Sequence, residues 1–212
     1  LDVHAETCTH YLVFTEDMLG REDGIKWICS PPLRTSEIRA RLWEAVRDGL
    51  ISQVSSDDAA YSWEAKLLGA GRFDLCPNGI PSVEVRLPLL YSEGVVRGRI
   101  SLPRLVEVTA AAPARLFGLA PRKGSLEPGA DADIVLLDPE AKWIMGRETL
   151  HMAADWSAYE GIPVTGKIVK VWSRGDLIVD GEDCLGEKGR GRYLHRTLPP
   201  TSPTLDKRNF TR

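Results

Sequence analysis

Two adjacent acids, Asp57 and Asp58, close the stretch SQVSSDD, and they are the first residues here to which chemistry can be assigned. Neighbouring carboxylates repel, so their placement side by side needs a reason. Read as a strand over residues 50–56, the segment sends successive side chains to opposite faces. Ile51, Gln53, Ser55 and Asp57 then fall on one face, and Leu50, Ser52, Val54, Ser56 and Asp58 on the other. The acids point apart. Leu50 and Val54 suit an outer helix layer, while Gln53 and Ser55 suit a more polar interior. In a (β/α) barrel the C-terminal ends of strands build the active site, so Asp57, the last inward-facing residue, is a candidate ligand or base. An acid capping the next segment would occupy the same place, and spacing alone favours that structural role.

The other chemistry-bearing residues are scattered. His4, His10, His151 and His195 form no HxH, HxxH or HExxH pair. A hydrolytic zinc site usually needs several His or Cys ligands, so each lone histidine is expected to be a packed or surface residue. Cys8, Cys29, Cys76 and Cys184 contain no CxxC pair; the expectation is reduced thiols in a cytosolic protein. GxGxxG, GKS/GKT and GxSxG patterns are absent, so nucleotide binding and a serine elbow have no support. PNG at 77–79 is by itself a turn, although Asn78 could offer its amide to a substrate.

The elements that must position these residues are partly legible. LDVHAET reads as a strand, followed by the aromatic-rich HYLVF. WICSPPLR is a loop, because two prolines forbid a regular element. TSEIRARLWEAVRDGL is an amphipathic helix: Thr35 or Ser36 caps it, Ile38, Leu42, Ala45 and Val46 share its apolar side, and Gly49 ends it. Strand, loop, helix and strand in this order make a βα unit with parallel strands. Residues 61–81 read as irregular, and VEVRLPLLYSEGVVRGR as a helix. Ser101 is an N-cap with Pro103 in the first turn, and Pro113 is expected to separate two short helices. Residues 121–183 read as mostly β, with a hairpin turning at Arg174-Gly175. Residues 186–212 lack periodicity and form no core of their own.

The 212 residues, 43% of them apolar, suffice for a sizeable core. With 27 basic and 30 acidic residues the net charge is -3, which gives no reason to expect a nucleic-acid partner. No apolar run approaches the ~20 residues that cross a bilayer, so no membrane partner is expected. The N-terminus has early acids and no basic start, unlike a signal peptide, and begins without Met as if inside a strand; a piece of something longer is the expectation.

Seven stretches, in order, together resemble the dihydropyrimidinase and hydantoinase family of cyclic amidohydrolases. They are AETCTHYL (5–12), CSPPLR (29–34), VSSDD (54–58), FDLCPNGIPSVEVRLPLLYSEGV (73–95), APARLFGL (112–119), PRKGSLEPGADADIVLLDP (121–139) and the YEG within SAYEGIPVTGK (157–167). Their order and spacing fit over nearly the whole chain. The resemblance implies an α/β fold: a (β/α)8 barrel plus a small β-sandwich, of which residues 1–120 supply the last two barrel strands with their helices, 121–185 part of the sandwich, and 186–212 an extended tail. It implies hydrolysis of cyclic amide bonds in dihydropyrimidines or 5-substituted hydantoins. It also implies two divalent metal ions, usually zinc, bridged by a carbamylated lysine and a hydroxide. The ligands implied are an HxH pair, that lysine, two further histidines and an aspartate.

Asp57 matches that aspartate, a metal ligand that also shuttles a proton. Ser30 and Asn78 match positions that hold the ring's amide groups, largely through backbone atoms. Asp58 departs mildly from the family, where His or Asn is common. The other ligands belong to segments before Leu1, and His4 and His10 fall at positions the family does not use as ligands. The chain alone is therefore expected to be inactive, and the longer parent a cytoplasmic homo-oligomer, a tetramer. Alternatives are a non-catalytic scaffold relative of the same fold, or an allantoinase- or dihydroorotase-like amidase. Retention of Asp57, Ser30 and Asn78 argues for the enzyme, and PNGIPSVEVRLPLL fits pyrimidinases and hydantoinases better.

Overall fold

The expected βα unit forms. In the computed structural model, which describes residues 3–197, β1 (Glu6–Cys8) runs parallel to β2 (Gln53–Ser55), with Glu6 opposite Gln53 and Cys8 opposite Ser55. The short helix α1 (Thr9–Val13) follows β1 directly, and α2 (Ser36–Arg47) makes the crossover. Thr35 caps α2 by accepting from the Ile38 amide at 3.4 Å, and Gly49 at φ +85 lets the chain turn away. Of the expected apolar side, Val46 is buried and Leu42 and Ala45 are half-buried, but Ile38 is 47% exposed, and the inward side is completed by buried Trp43 and half-buried Arg39. The Trp43 indole donates to Leu12 O at 2.9 Å and the Arg39 guanidinium to Val13 O at 2.8 Å. These bonds turn the 39/43 side toward α1 and Ile38 outward.

Strand β2 is shorter than expected. Only three residues pair with β1, and Leu50 is exposed rather than under a helix. Asp57 lies beyond the strand at φ +48, so pleat alternation is not what separates the two acids.

Residues 61–81, expected to be irregular, contain α3 (Trp63–Leu67), capped by Ser62, which accepts from the Ala65 amide at 3.2 Å. The expected helix near 83–99 forms as α4 (Arg86–Leu89) and widens into a π-helical stretch over Leu90–Val96. Further on, α5 (Leu102–Val106), a π-helical stretch (Glu107–Ala111) and α6 (Ala112–Leu116) run on as one helix. Ser101 caps it, accepting from the Arg104 amide at 3.2 Å. Pro113 does not split this helix in two. The wider turn just before it accommodates a ring that would clash with the carbonyl of the preceding turn.

The second sheet is an antiparallel meander: β3 (Ile134–Met145), β4 (Ile162–Ser173), β5 (Asp176–Asp180) and β6 (Asp183–Cys184). The β4–β5 hairpin turns where expected, with Arg174 at φ +53 and Gly175 at φ +84, as a two-residue primed turn requires. Residues 146–161, expected within a mostly β region, are instead a loop with one short 3-10 turn, Arg147–Thr149. That loop sends Trp156 and Tyr159 into the core.

One apolar cluster joins Leu12, Trp43, Val46, Val54, Leu90 and Val108 around the βα unit. A second packs Phe14, Trp27, Ile80 and Leu89 against Met145, Tyr159 and Val164, tying the second sheet to the first. The backbone amide of Thr197 donates to Gly118 O at 3.0 Å. Residues 198–212 of the expected tail, and the first two residues of the expected opening strand, lie outside the described residues.

Candidate metal and substrate site

Parallel pairing sets the C-terminal ends of β1 and β2 side by side. Cys8 Sγ lies 3.4 Å from Ser55 Oγ, and the Thr9 hydroxyl donates to Ser55 O at 3.2 Å. After β2 the chain kinks at Asp57 into the left-handed region, which Asp tolerates better than most residues. The kink brings the Asp57 carboxylate, Cys8 Sγ and a ring nitrogen of His10 within 4.8 Å of one another. His10 is completely buried, and neither ring nitrogen has a hydrogen-bond partner among the described residues. Burial pushes its pKa down to about 4, against the opposing pull of the Asp57 charge, so the ring is neutral near pH 7. Burial also raises the Cys8 thiol; the Ser55 hydroxyl works against this, and the charges of Asp57 and Glu6 add to it.

Asp58 takes the structural part. Its Oδ1 accepts from the Ser82 and Val83 amides at 2.6 and 2.9 Å. Among the described residues the exposed Asp57 carboxylate has no hydrogen-bond donor. The Ser82 hydroxyl donates to Ser56 O at 2.6 Å, and the Ala59 amide to Ile80 O at 3.2 Å. The 56–59 and 80–83 segments are thus laced together. Between them Gly79, at φ +139, passes so close to Ala59 that a Cβ there would collide with the alanine's own.

Ser30 and Asn78, 48 positions apart in sequence, both line one cavity of about 660 Å³, with Trp27, Cys29, Arg72 and Phe73 on its walls. Asp57 is not among the lining residues; it sits at the strand ends, and burial raises the Cys29 thiol with a smaller addition from the Asp57 charge. The two loops are joined by a residue that sequence reasoning passed over. Lys66, on α3, is fully buried, and its ammonium donates to Ile28 O at 3.0 Å and Pro77 O at 2.8 Å. It also lies 5.6 Å from the Trp156 ring centroid. The Gly79 amide closes the same junction by donating to Ile28 O at 3.0 Å. Cys8 and His10 were also passed over as partners of Asp57; their only sequence signal was proximity to the end of β1.

Comparison with known proteins gives this arrangement a context. The sequence profile of the amidohydrolase family matches residues 2–178. A D-phenylhydantoinase of Escherichia coli O1:K1 is 46% identical over 201 residues, which cover 93% of this chain and 44% of that protein. A dihydropyrimidinase structure from Brevibacillus agri superposes with a TM-score of 0.92 at 39% identity, covering 95% of this chain and 44% of that one. A D-hydantoinase from a Bacillus species superposes with a TM-score of 0.90 at 42% identity, over 92% and 43% respectively. The chain thus spans 44% of the length of the curated relative it matches, and within that span it carries a mixed α/β part of the fold, with no closed barrel among the described residues. Family profile, sequence identity and superposition agree, and the chain belongs to the amidohydrolase family, in its dihydropyrimidinase and D-hydantoinase group.

Proposed function

We propose that this chain forms the C-terminal part of a cyclic amidohydrolase that opens the ring of dihydropyrimidines or 5-substituted hydantoins. The observation that carries this reading is the exposed Asp57 carboxylate, without a hydrogen-bond donor among the described residues and held at the ends of two parallel strands by a left-handed kink. A neutral imidazole and a thiol stand beside it, so the donor set suits a divalent cation. In this reading Asp57 holds one of two zinc ions whose other ligands come from residues outside these 212, and Cys8 and His10 stand beside that ligand without being part of the family's set. When bound, such ions polarise an amide carbonyl and acidify a water molecule.

The chain's own residues do the rest. Backbone groups at Ser30 and Asn78 hold the ring's amide edge from one cavity wall. Trp27 and Phe73 give the substrate an apolar surface. Asp57 takes the proton of the attacking water and passes it to the leaving nitrogen as the amide C–N bond breaks.

The test is a chimera in which this chain replaces the matching part of the E. coli D-phenylhydantoinase, assayed for ring opening of phenylhydantoin and dihydrouracil. The chimera is expected to turn over, and the 212-residue chain alone is not. Asp57→Asn in the chimera should lower kcat/KM by about 10²–10⁴-fold, the contribution of a positioned acid–base group. A folded Asp57→Asn chimera with normal turnover would remove the assigned role.

A further inference from the structure

We infer that Cys8, His10 and Asp57 form a mononuclear site of their own for a borderline-soft divalent cation of the zinc class. This shares Asp57 with the ring-opening reading and otherwise goes beyond it, because Cys8 and His10 are not among the ligands that the resemblance implies. Three donors of the types zinc takes, a sulfur, an imidazole nitrogen and a carboxylate oxygen, lie within 4.8 Å of one another. Zinc bonds of about 2.3 Å to sulfur and about 2.0 Å to nitrogen or oxygen put tetrahedral donors under about 4 Å apart. Bound tetrahedral donors stand about 3.3–3.6 Å apart, so the cluster has to contract by at most about 1.5 Å on binding.

The independent observation is His10. Its ring is completely buried, with both nitrogens unpartnered among the described residues, and one of them lies within 4.8 Å of the thiol and the carboxylate. An unsatisfied buried polar group costs about 1–3 kcal/mol and calls for a partner. A cation supplies one, and the neutral ring is the form that ligates. On binding, the Cys8 thiol gives up its proton to solvent, the Cys8 Sγ···Ser55 Oγ contact of 3.4 Å is released, and water or another small ligand completes the coordination.

The probe is cobalt(II), added to the metal-stripped 212-residue chain and followed by absorption. One equivalent should raise a thiolate-to-cobalt charge-transfer band in the near ultraviolet with tetrahedral d–d bands in the visible, and zinc should displace both. Cys8→Ser should lose the charge-transfer band, and His10→Gln and Asp57→Asn should lower the affinity at least tenfold. Cys29→Ser and Cys76→Ser should leave the spectrum unchanged. A wild-type chain without the band, or a Cys8→Ser chain that keeps it, overturns the inference. Should Cys8→Ser not fold, zinc protection of the Cys8 thiol from alkylation in the wild type, read by mass spectrometry, decides the same question, and an unprotected Cys8 overturns it. Failure of the hydrolysing chimera would count against the ring-opening reading alone; a missing cobalt band counts against this site alone.

Discussion

Lys66→Met removes the buried ammonium that joins the Ser30 and Asn78 loops while keeping a stem of similar length. The wild-type ammonium donates to Ile28 O and Pro77 O at 3.0 and 2.8 Å. A hydrogen bond from a charged group is worth about 1.5–3 kcal/mol, so the pair contributes about 3–6 kcal/mol before its costs. Burying the ammonium offsets part of this, and that cost shows in a lysine pKa held below its ordinary 10.5 by burial. The methionine stem still packs against Trp156, but two carbonyls lose their donor. The net destabilisation is about 2–4 kcal/mol, read in urea as a lower midpoint at unchanged m-value. At about 2–4 °C per kcal/mol for a chain of this size, the melting temperature falls by roughly 4–16 °C.

A second readout is pH. The lysine pKa is lower in the folded chain than in the unfolded one, so the folded state binds fewer protons in that range. Wild-type stability therefore gains from this group as pH rises toward 10.5, and Lys66→Met loses that slope. Leu67→Ala, on the exposed side of α3, is the control. A Lys66→Met midpoint within about 0.5 kcal/mol of wild type, with the alkaline slope retained, would refute the assignment of Lys66 as the link between the loops.

Two further outcomes follow from the same geometry. Asp58→Ala leaves the Ser82 and Val83 amides without their acceptor and should cost about 1–3 kcal/mol in urea, with Asp58→Asn milder because it keeps one acceptor oxygen; an unchanged midpoint in Asp58→Ala would show that Asp58 does not cap this segment. His151 lies 2.7 Å from Glu84, whose hydrogen bond and charge raise its pKa above 6.5, with Glu182 adding at longer range. Its folded pKa is raised, so its stabilisation is fully present below pH 6.5 and is lost as pH rises through the folded value. His151→Asn should flatten the stability profile just above pH 6.5, by a small amount because the pair is solvent-exposed; a profile identical to wild type would dismiss the pair.

Much of the first 57 residues is legible in sequence, because its signals are local. Thr35, Gly49 and the apolar repeat of α2 act within one or two turns, and a crossover helix between two strands dictates parallel pairing. The hairpin at Arg174-Gly175 is legible for the same reason. Ile38 misleads, because periodicity names an apolar side but not which residues of that side meet α1, and the Trp43 and Arg39 bonds to α1 decide that. The loop over 146–161 is opaque, since Trp156 and Tyr159 look like strand residues until the core they fill is known. Lys66 is invisible as a site element: a lone lysine reads as solvated, and only the distant carbonyls of Ile28 and Pro77 make its burial tolerable.

The paired acids show where sequence and tertiary structure divide the work. Alternation along a strand separates Asp57 from Asp58 on paper, but the strand stops at Ser55 and a different device separates them. Asp58 is pinned by two amides of the segment that returns at Ile80–Val83. With its neighbour fixed there, Asp57 takes a left-handed conformation and swings its carboxylate toward Cys8 and His10. A left-handed residue costs on the order of 1–3 kcal/mol and persists where its surroundings over-determine it, as the two amides, the Ser82–Ser56 bond and the Gly79 passage do here for an Asp that tolerates the region better than most. The second acid is therefore the reason the first can be chemical. One carboxylate satisfies backbone donors, and the other is left without a hydrogen-bond donor among the described residues. In the inferred cation site, Asp58→Ala should lower cobalt(II) affinity through the displaced Asp57 carboxylate, Asp58 being outside the donor set; an unchanged affinity would refute this coupling.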